Sequence, residues 1–383
     1  MPDSGNLPLY NILDAVGVRS DIPLRELEGF RTVAIDREDV VVTGSRDNTF
    51  YPRFDRRVLR DSQATSYVEH LGSLGATVRI ISGNPIRVEV NWLLKYSSAV
   101  LYVNVVEPLL RLILAGKGFA LLHGACLSRK GKAVLISAPP DTGKTTTVLR
   151  CLDKALFSFL SDDMTVIDGD LGVHKFPKPF TISAHTYESM ISDVKNIKGI
   201  SKNQRLRVKS LIHSRTGRRI LRLIGRLNLP ILTFNAVGQV IVKPPKVFVE
   251  DLVKGVTTVS QAHPIVICVL RLGGGERVQD APPEAVLEEL LFNSEDAFGF
   301  PPYSEIFHNL KLHGRCSDEI LADEKALLKR LVASAKCFYL WSDSRRWDRL
   351  VNVVMDRIIG PPFAAIQPTP PEVIISHEVN VGL

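Results

Sequence analysis

Apolar, β-branched runs separated by turn residues dominate the first hundred positions. The stretches "TVAIDREDVVVTG" (32–44), "ATVRIIS" (76–82) and "RVEVNWLL" (87–94) carry side chains that favour strands, with Gly, Asn and Pro between them. The run "EPLLRLILAGKG" (107–118) then predicts a helix that stops at Gly116. From about Phe119 strand and helix patterns alternate, which predicts an α/β layer fold. "AVLIS" (133–137) is a short apolar run with turn chemistry on both sides, the signature of a buried strand. "VFVEDLVKG" (247–255) and "PIVICVLRL" (264–272) are expected as later strands of the same core. Helical patterns follow at 282–293, 323–334 and 345–358, the last running up to Gly360-Pro361-Pro362. The proline-rich end of the chain is expected to be a tail or a packed arm. The organisation implied is a small mixed domain over 1–115, a core over 116–360 and a tail over 361–383, with no internal repeat.

Composition narrows the class. With 45% hydrophobic residues in 383, the chain can bury a sizeable core. The cysteines at 126, 151, 268, 316 and 337 are odd in number and lack paired spacing. That pattern predicts free thiols rather than a disulfide framework or a zinc site. No basic stretch leads into an apolar run near Met1, and the most apolar segment, 99–122, is interrupted by Glu107, Arg111 and Lys117. A cytoplasmic protein without an integral membrane segment is the expectation. The net charge of +7 is unevenly spread: residues 195–246 hold thirteen Lys and Arg and no acid, leaving −6 for the rest.

The chemistry concentrates in "HGACLSRKGKAVLISAPPDTGKTTTVLRCLDKALFSFLSDDMTVID" (123–168). The predicted strand 133–137 runs into Ala138, Pro139, Pro140, Asp141, Thr142, Gly143, Lys144, Thr145 and Thr146, and "TTVLRCL" continues as a helix. Strand, tight loop and helix start in that order form the context in which a phosphate-binding loop works. Backbone N–H groups at the helix start would face phosphates. Lys144 would neutralise the β- and γ-oxygens, and the Thr145 hydroxyl would ligate Mg²⁺. Ala138 stands where the loop pattern has its first glycine, so the backbone there is expected to keep a negative φ. A helix start that binds nothing is the plainer alternative.

"ALFSFL" (155–160) predicts the next strand, ending at Ser161-Asp162-Asp163, eighteen residues after Lys144. Lying parallel beside the first strand, it would bring both carboxylates to the loop's end of the sheet, where open α/β sheets bind ligands. One carboxylate then suits Mg²⁺ and the other suits a proton from an attacking hydroxyl; a helix cap or turn role for one of them stays open. A hairpin turning at 129–132 pairs position 123 with about 138. His123 is thereby a candidate to orient a carboxylate or contact phosphate, with a purely structural role as the alternative.

Taken together, the His-Gly-Ala strand, hairpin, phosphate loop, single helix and Asp-Asp strand end resemble the HPr kinase/phosphorylase family, of the phosphoenolpyruvate-carboxykinase-like class of P-loop folds. The likeness is specific over roughly residues 118–170. It implies a P-loop core of that type with a small mixed N-terminal domain and helical C-terminal segments. It implies Asp162 as catalytic base, Asp163 near the metal and His123 in support. "VIVKPPK" (240–246) is similar to the family's basic loop, making Lys243 and Lys246 candidates for stabilising the transferred phosphoryl group. The family's Arg-Gly-x-Gly segment is missing, and Glu188 in "HTYESM" is the remaining candidate for its metal-binding glutamate. That departure weighs against HPr as substrate and against a reverse phosphorylase activity. The expected cofactors are ATP and Mg²⁺, the acceptor a hydroxyl on a protein serine or small metabolite, and self-association a further implication.

One segment stands outside this likeness. Between 195 and 228, Arg215, Arg219, Arg222 and Arg226 fall on one helical face, with Ile220, Ile224 and Leu227 on another. Such a face suits an anionic or phosphorylated partner, or is simply solvated. The alternative function is therefore a nucleotide-switched module that grips RNA, an anionic surface or an acidic partner through this insertion. Interleaved aromatics are lacking, which counts against single-stranded nucleic acid.

Overall fold

A computed structural model describes residues 7–45, 55–71, 74–139, 142–181, 230–241, 246–299, 301–307, 310–312, 314–361 and 374–376. The chain is a mixed α/β protein with two large mixed sheets. The first sheet is built from β1 (Leu9–Ile12), β2 (Val16–Ser20), β3 (Arg31–Thr32), β4 (Val40–Gly44), β5 (Asp55–Arg60), β6 (Ala64–Leu71), β7 (Leu74–Ile81) and β8 (Ile86–Val90). Their order is β3-β1-β2-β4-β8-β7-β6-β5, with parallel pairing only at β2–β4 and β4–β8. Two of the expected strands are shorter than their sequence runs. The strand begins only at Val40; just before it the Asp39 carboxylate accepts the Gly17 N–H and pairs with Lys117. After Val90 the chain enters a one-turn helix, Trp92–Tyr96, so "NWLL" is no strand.

Helix α1 (Ser98–Gly116) connects the two halves, with a π-type turn over Tyr102–Val106. It ends at Gly116, where the sequence predicts the stop, but starts nine residues before Glu107. By length and composition it is the one helix among the described residues able to cross a membrane; 78% of that span lies buried inside the fold. Leu109, Leu110, Leu112 and Leu114 are completely buried in an apolar cluster that includes Tyr10, Val42 and Val78 of the first sheet and Leu121 and Val166 beyond the helix. The boundary expected at 115/116 thus coincides with the end of a helix whose neighbours on both sides share a core.

The second sheet centres on a long strand. Its members are β9 (Ala120–His123), β10 (Ala125–Arg129), β11 (Lys132–Ser137), β12 (Ser158–Ser161), β13 (Met164–Ile167), β14 (Val173–His174), β17 (Gln261–Leu272), β18 (Arg277–Asp280), β21 (Lys336–Ser342) and β22 (Ile374–Ser376). Two small ribbons lie apart, β15 (Phe180–Thr181) with β16 (Lys246–Val247) and β19 (Lys311–Leu312) with β20 (Arg315–Cys316). β17 runs parallel to β11 on one side and to β21 on the other, and its first residues pair antiparallel with β14. Helices cover both faces of this sheet: α2 (Lys144–Asp153) and α6 (Trp347–Ile359) on one, α4 (Pro283–Phe298) and α5 (Ser317–Ser334) on the other. A further helix, α3 (Ile231–Ile241), contributes Leu232 and Ala236 to the N-terminal core. Val134 and Ile136 pack with α2 and α6, whereas Ala133 and Leu135 pack with α4 and α5. A strand buried on both faces is apolar at every position, which explains "AVLIS".

Three expectations about this half change. The segment 247–255 is not a core strand: Lys246–Val247 pairs with β15, and Val249–Leu252 is a helical turn with both end residues buried. β12 does not lie beside β11, because β10 is inserted between them; both neighbours of β10 are antiparallel to it, so β12 and β11 still point the same way. The hairpin has the expected register, Arg129 opposite Lys132 and Ala125 opposite Ile136, but pairing stops there. After Gly124 the chain changes partner, and His123 lies opposite Met164 in β13. At the chain's end, β22 adds in parallel to β18, as a packed arm does.

Candidate active site

The C-terminal ends of β11 and β12 open on the same edge of the sheet. Past Ser137, Ala138 is buried and does not adopt a positive φ, so its side chain introduces no left-handed strain. Pro139 accepts an N–H from Thr142 through its carbonyl at 3.3 Å; Pro140 and Asp141 lie outside the described residues. Gly143 has φ +130°, and a Cβ there would come within 3.1 Å of the Trp347 ring. Trp347 is fixed in turn, its indole N–H directed to the carbonyls of Leu340 (3.0 Å) and Arg271 (3.2 Å). Lys144 opens α2, whose first N–H groups have no intrahelical acceptor by construction. Thr142 and Thr146 are buried, and Thr147 back-bonds to the Gly143 carbonyl at 3.0 Å.

Asp162 and Asp163 occupy the tight turn between β12 and β13. The Gly124 N–H bonds the Asp163 carbonyl at 3.1 Å, and the Thr165 hydroxyl bonds the Gly124 carbonyl at 2.9 Å, tying the turn to the β9–β10 break. The two side chains face different company. Asp162 is buried, and its Oδ2 accepts the Thr145 hydroxyl at 2.9 Å. Asp163 meets His123 Nε2 at 3.3 Å, Lys178 Nζ at 2.6 Å and Lys144 Nζ at 3.9 Å. His123 Nδ1 lies 3.1 Å from the Asn293 carbonyl, and the Asn293 amide reaches Ser137 at 3.0 Å, so α4 braces both the histidine and the end of β11.

Acidities diverge accordingly. Burial raises the Asp162 pKa to about 7, with the Asp163 charge adding to the rise while Lys144 and the Thr145 bond oppose it. Burial also works against ionisation of Asp163, but Lys178, the His123 bond and Lys144 outweigh it and hold that pKa well below the usual carboxylate range. Burial lowers the Lys144 pKa despite the neighbouring acids. Burial pulls Lys178 the same way, yet Asp163 and Glu107 together keep it above the ordinary lysine value.

Of the residues singled out in the sequence, Lys144, Thr145, Asp162, Asp163 and His123 come together. The division between the acids differs from expectation in one respect: the Thr145 hydroxyl bonds Asp162, while Asp163, expected near the metal, is engaged by Lys178 and His123, with Lys144 farther off at 3.9 Å. Lys246 is elsewhere; its ammonium is paired with the buried Glu26, which needs a counter-charge. Lys243, Glu188, Arg215, Arg219, Arg222 and Arg226 fall outside the described residues. The family models scanned with this sequence give no match, and a search of curated proteins gives none either.

Two members of the cluster carry no motif in the sequence. Lys178 sits in "KFPKPF" and Glu107 in an apolar helix; their side chains pair at 2.7 Å, 7% and 2% exposed. The available signal was Glu107 itself, since a carboxylate in a buried helix demands a partner.

Two polar atoms here, Lys144 Nζ and Asp162 Oδ1, are buried without a hydrogen-bond partner among the described residues. Buried groups of this kind are rarely left unpaired. A cation beside a helix start suits a phosphate, and a hydroxyl that gives its proton to Asp162 keeps its lone pairs for a metal. Among the described residues no group of three or more His, Cys, Asp and Glu could hold an ion by itself. Mg²⁺ commonly takes one or two protein oxygens and completes its shell with phosphates and water, and the Thr145–Asp162 pair fits that pattern.

Proposed function

We propose that this chain is an ATP- and Mg²⁺-dependent kinase of the HPr-kinase-like type that phosphorylates a hydroxyl on a protein serine or a small metabolite. The observation that carries the reading is the pair of buried atoms without a hydrogen-bond partner among the described residues, Lys144 Nζ and Asp162 Oδ1, at one sheet edge beside a helix start. In this reading Lys144 and the loop from Ala138 to Thr146 hold the triphosphate through the backbone N–H groups of its non-proline residues, and Thr145 with Asp162 borders the metal. Bound Mg²⁺ would neutralise charge on the β- and γ-oxygens. Asp162 Oδ1 takes the proton of the acceptor hydroxyl as the hydroxyl oxygen bonds to the γ-phosphorus and the bond from the γ-phosphorus to ADP breaks. A base with pKa about 7 matches proton transfer at neutral pH. Asp163, kept ionised chiefly by Lys178 and bonded to His123, sustains the high proton affinity of its neighbour. Positioning and charge neutralisation supply most of the acceleration in such a site.

Incubating the protein with γ-labelled ATP and a cell extract split into protein and small-molecule fractions tests this. Label in one fraction is expected, dependent on Mg²⁺. Release of labelled phosphate alone, with neither fraction labelled, would contradict the kinase reading.

A further inference from the structure

Lys178 answers to none of the roles above, yet it makes the shortest contact to the acid pair. Its ammonium lies 2.6 Å from Asp163 Oδ2 and 2.7 Å from Glu107 Oε1, and 5.5 Å from the Tyr102 ring centre. Lys144 approaches the other oxygen of Asp163 but stops at 3.9 Å, outside hydrogen-bond range, and has no hydrogen-bond partner among the described residues. Two lysines thus face one carboxylate, and Lys178 has the bond. Asp163 is held back from the loop lysine by a competitor on its Oδ2, while its Oδ1, the oxygen nearer Lys144, also meets His123 Nε2 at 3.3 Å.

The competitor is held firmly. The Phe176 N–H bonds the Leu160 carbonyl at 3.1 Å, and the Lys178 N–H bonds the Phe176 carbonyl at 2.8 Å. Phe176 packs edge-on against Phe30 with ring centres 5.0 Å apart. At Gly29 an added Cβ would lie 2.4 Å from the Pro177 ring, so the N-terminal half of the chain closes directly on this segment. Glu107 supplies the second carboxylate from α1. Charge and backbone together fix where the Lys178 ammonium sits.

We infer that Lys178 is a positioning residue which, by occupying Asp163, keeps the Lys144 ammonium free for a nucleotide phosphate. Without it, Asp163 would turn to Lys144, and the phosphate would have to displace a charge-assisted hydrogen bond. Such bonds contribute roughly 1.5–3 kcal/mol, which converts to about 10- to 100-fold in ATP affinity. The inference rests on the nucleotide-site reading but not on turnover.

The test is the Kd for MgATP, by calorimetry on the full chain. Lys178→Met alone would strand Glu107 in the core, so it is paired with Glu107→Leu. Relative to wild type, the double variant is expected to bind MgATP about 10- to 100-fold more weakly, and adding Asp163→Asn to restore most of the loss. Lys178→Arg, which can bridge both carboxylates, should stay within a few-fold of wild type. Unchanged affinity in the double variant overturns the inference. Weakening that Asp163→Asn does not restore also overturns it, since a loosened core would behave that way. Should the double variant not melt cooperatively, Lys178→Met with Glu107→Gln serves in its place: unchanged affinity, or a loss that Asp163→Asn fails to restore, again overturns the inference. Wild-type protein that fails to bind MgATP overturns both this and the proposed function; binding without phosphoryl transfer counts against the kinase alone.

Discussion

Asp162 and Asp163 are neighbours in the chain and opposites in chemistry. The first is buried with a hydroxyl and an oxygen that has no partner among the described residues; the second faces two ammonium groups and a histidine. With the Asp162 pKa near 7, kcat/KM for phosphoryl transfer should be low in acid and rise through a limb near pH 7, because only the ionised form accepts a proton. A profile flat from pH 5.5 to 8.5 would contradict the base role. The same shift bears on stability. A carboxyl whose folded pKa lies above its unfolded value favours folding below the unfolded pKa, near 4, and loses that contribution as pH rises through 7. Replacing it by Asn removes the penalty of ionising a buried acid. The stability of Asp162→Asn relative to wild type should therefore grow between pH 4 and pH 8 by about 4 kcal/mol, three units at roughly 1.4 kcal/mol each. Chemical denaturation at the two pH values reads this directly, and a difference that shrinks with pH would contradict it.

At the scale of elements, the join between β11 and α2 depends on Gly143, whose φ of +130° strains any side chain and whose Cβ would crowd Trp347 at 3.1 Å. Gly143→Ala is expected to cost about 1–3 kcal/mol and to weaken MgATP binding together with it, as a thermal melt and a titration would report. Helix α1 is tied to α5 by Arg111 and Glu324, with three donor–acceptor contacts of 2.7 to 3.1 Å and side chains only 4% and 2% exposed. Breaking one side of such a pair leaves an uncompensated charge. Arg111→Met should lose roughly 3–5 kcal/mol, and Arg111→Met with Glu324→Leu should recover most of it. If the double variant is no better than the single, the ion pair is not what couples these helices.

Across the whole molecule, the site is an edge where local and distant parts of the chain meet, and the two were unequally legible in the sequence. The strand at 133–137, the helix after Lys144, the hairpin register and the stop at Gly116 rest on short-range patterning, and all are legible from the residues themselves. The insertion of β10 between β11 and β12 is not, since neighbouring strands in a sheet are chosen by tertiary packing. Nor is Lys178, which reaches Asp163 only because the chain after β14 is pinned by Gly29 and Phe30. The strands β1, β2, β5 and β6 are short or polar enough to leave no clear alternation. Glu107 is visible as an acid in an apolar helix, but its partner lies seventy-one residues away.

In the proposed reaction one carboxylate acts as a base while the loop holds nucleotide independently. Asp162→Asn, assayed for MgATP affinity and for transfer of the γ-phosphoryl group to the labelled acceptor, addresses both halves in one variant. Retained binding with turnover lowered by about 10²- to 10⁴-fold is the expected result. Turnover equal to wild type would contradict it.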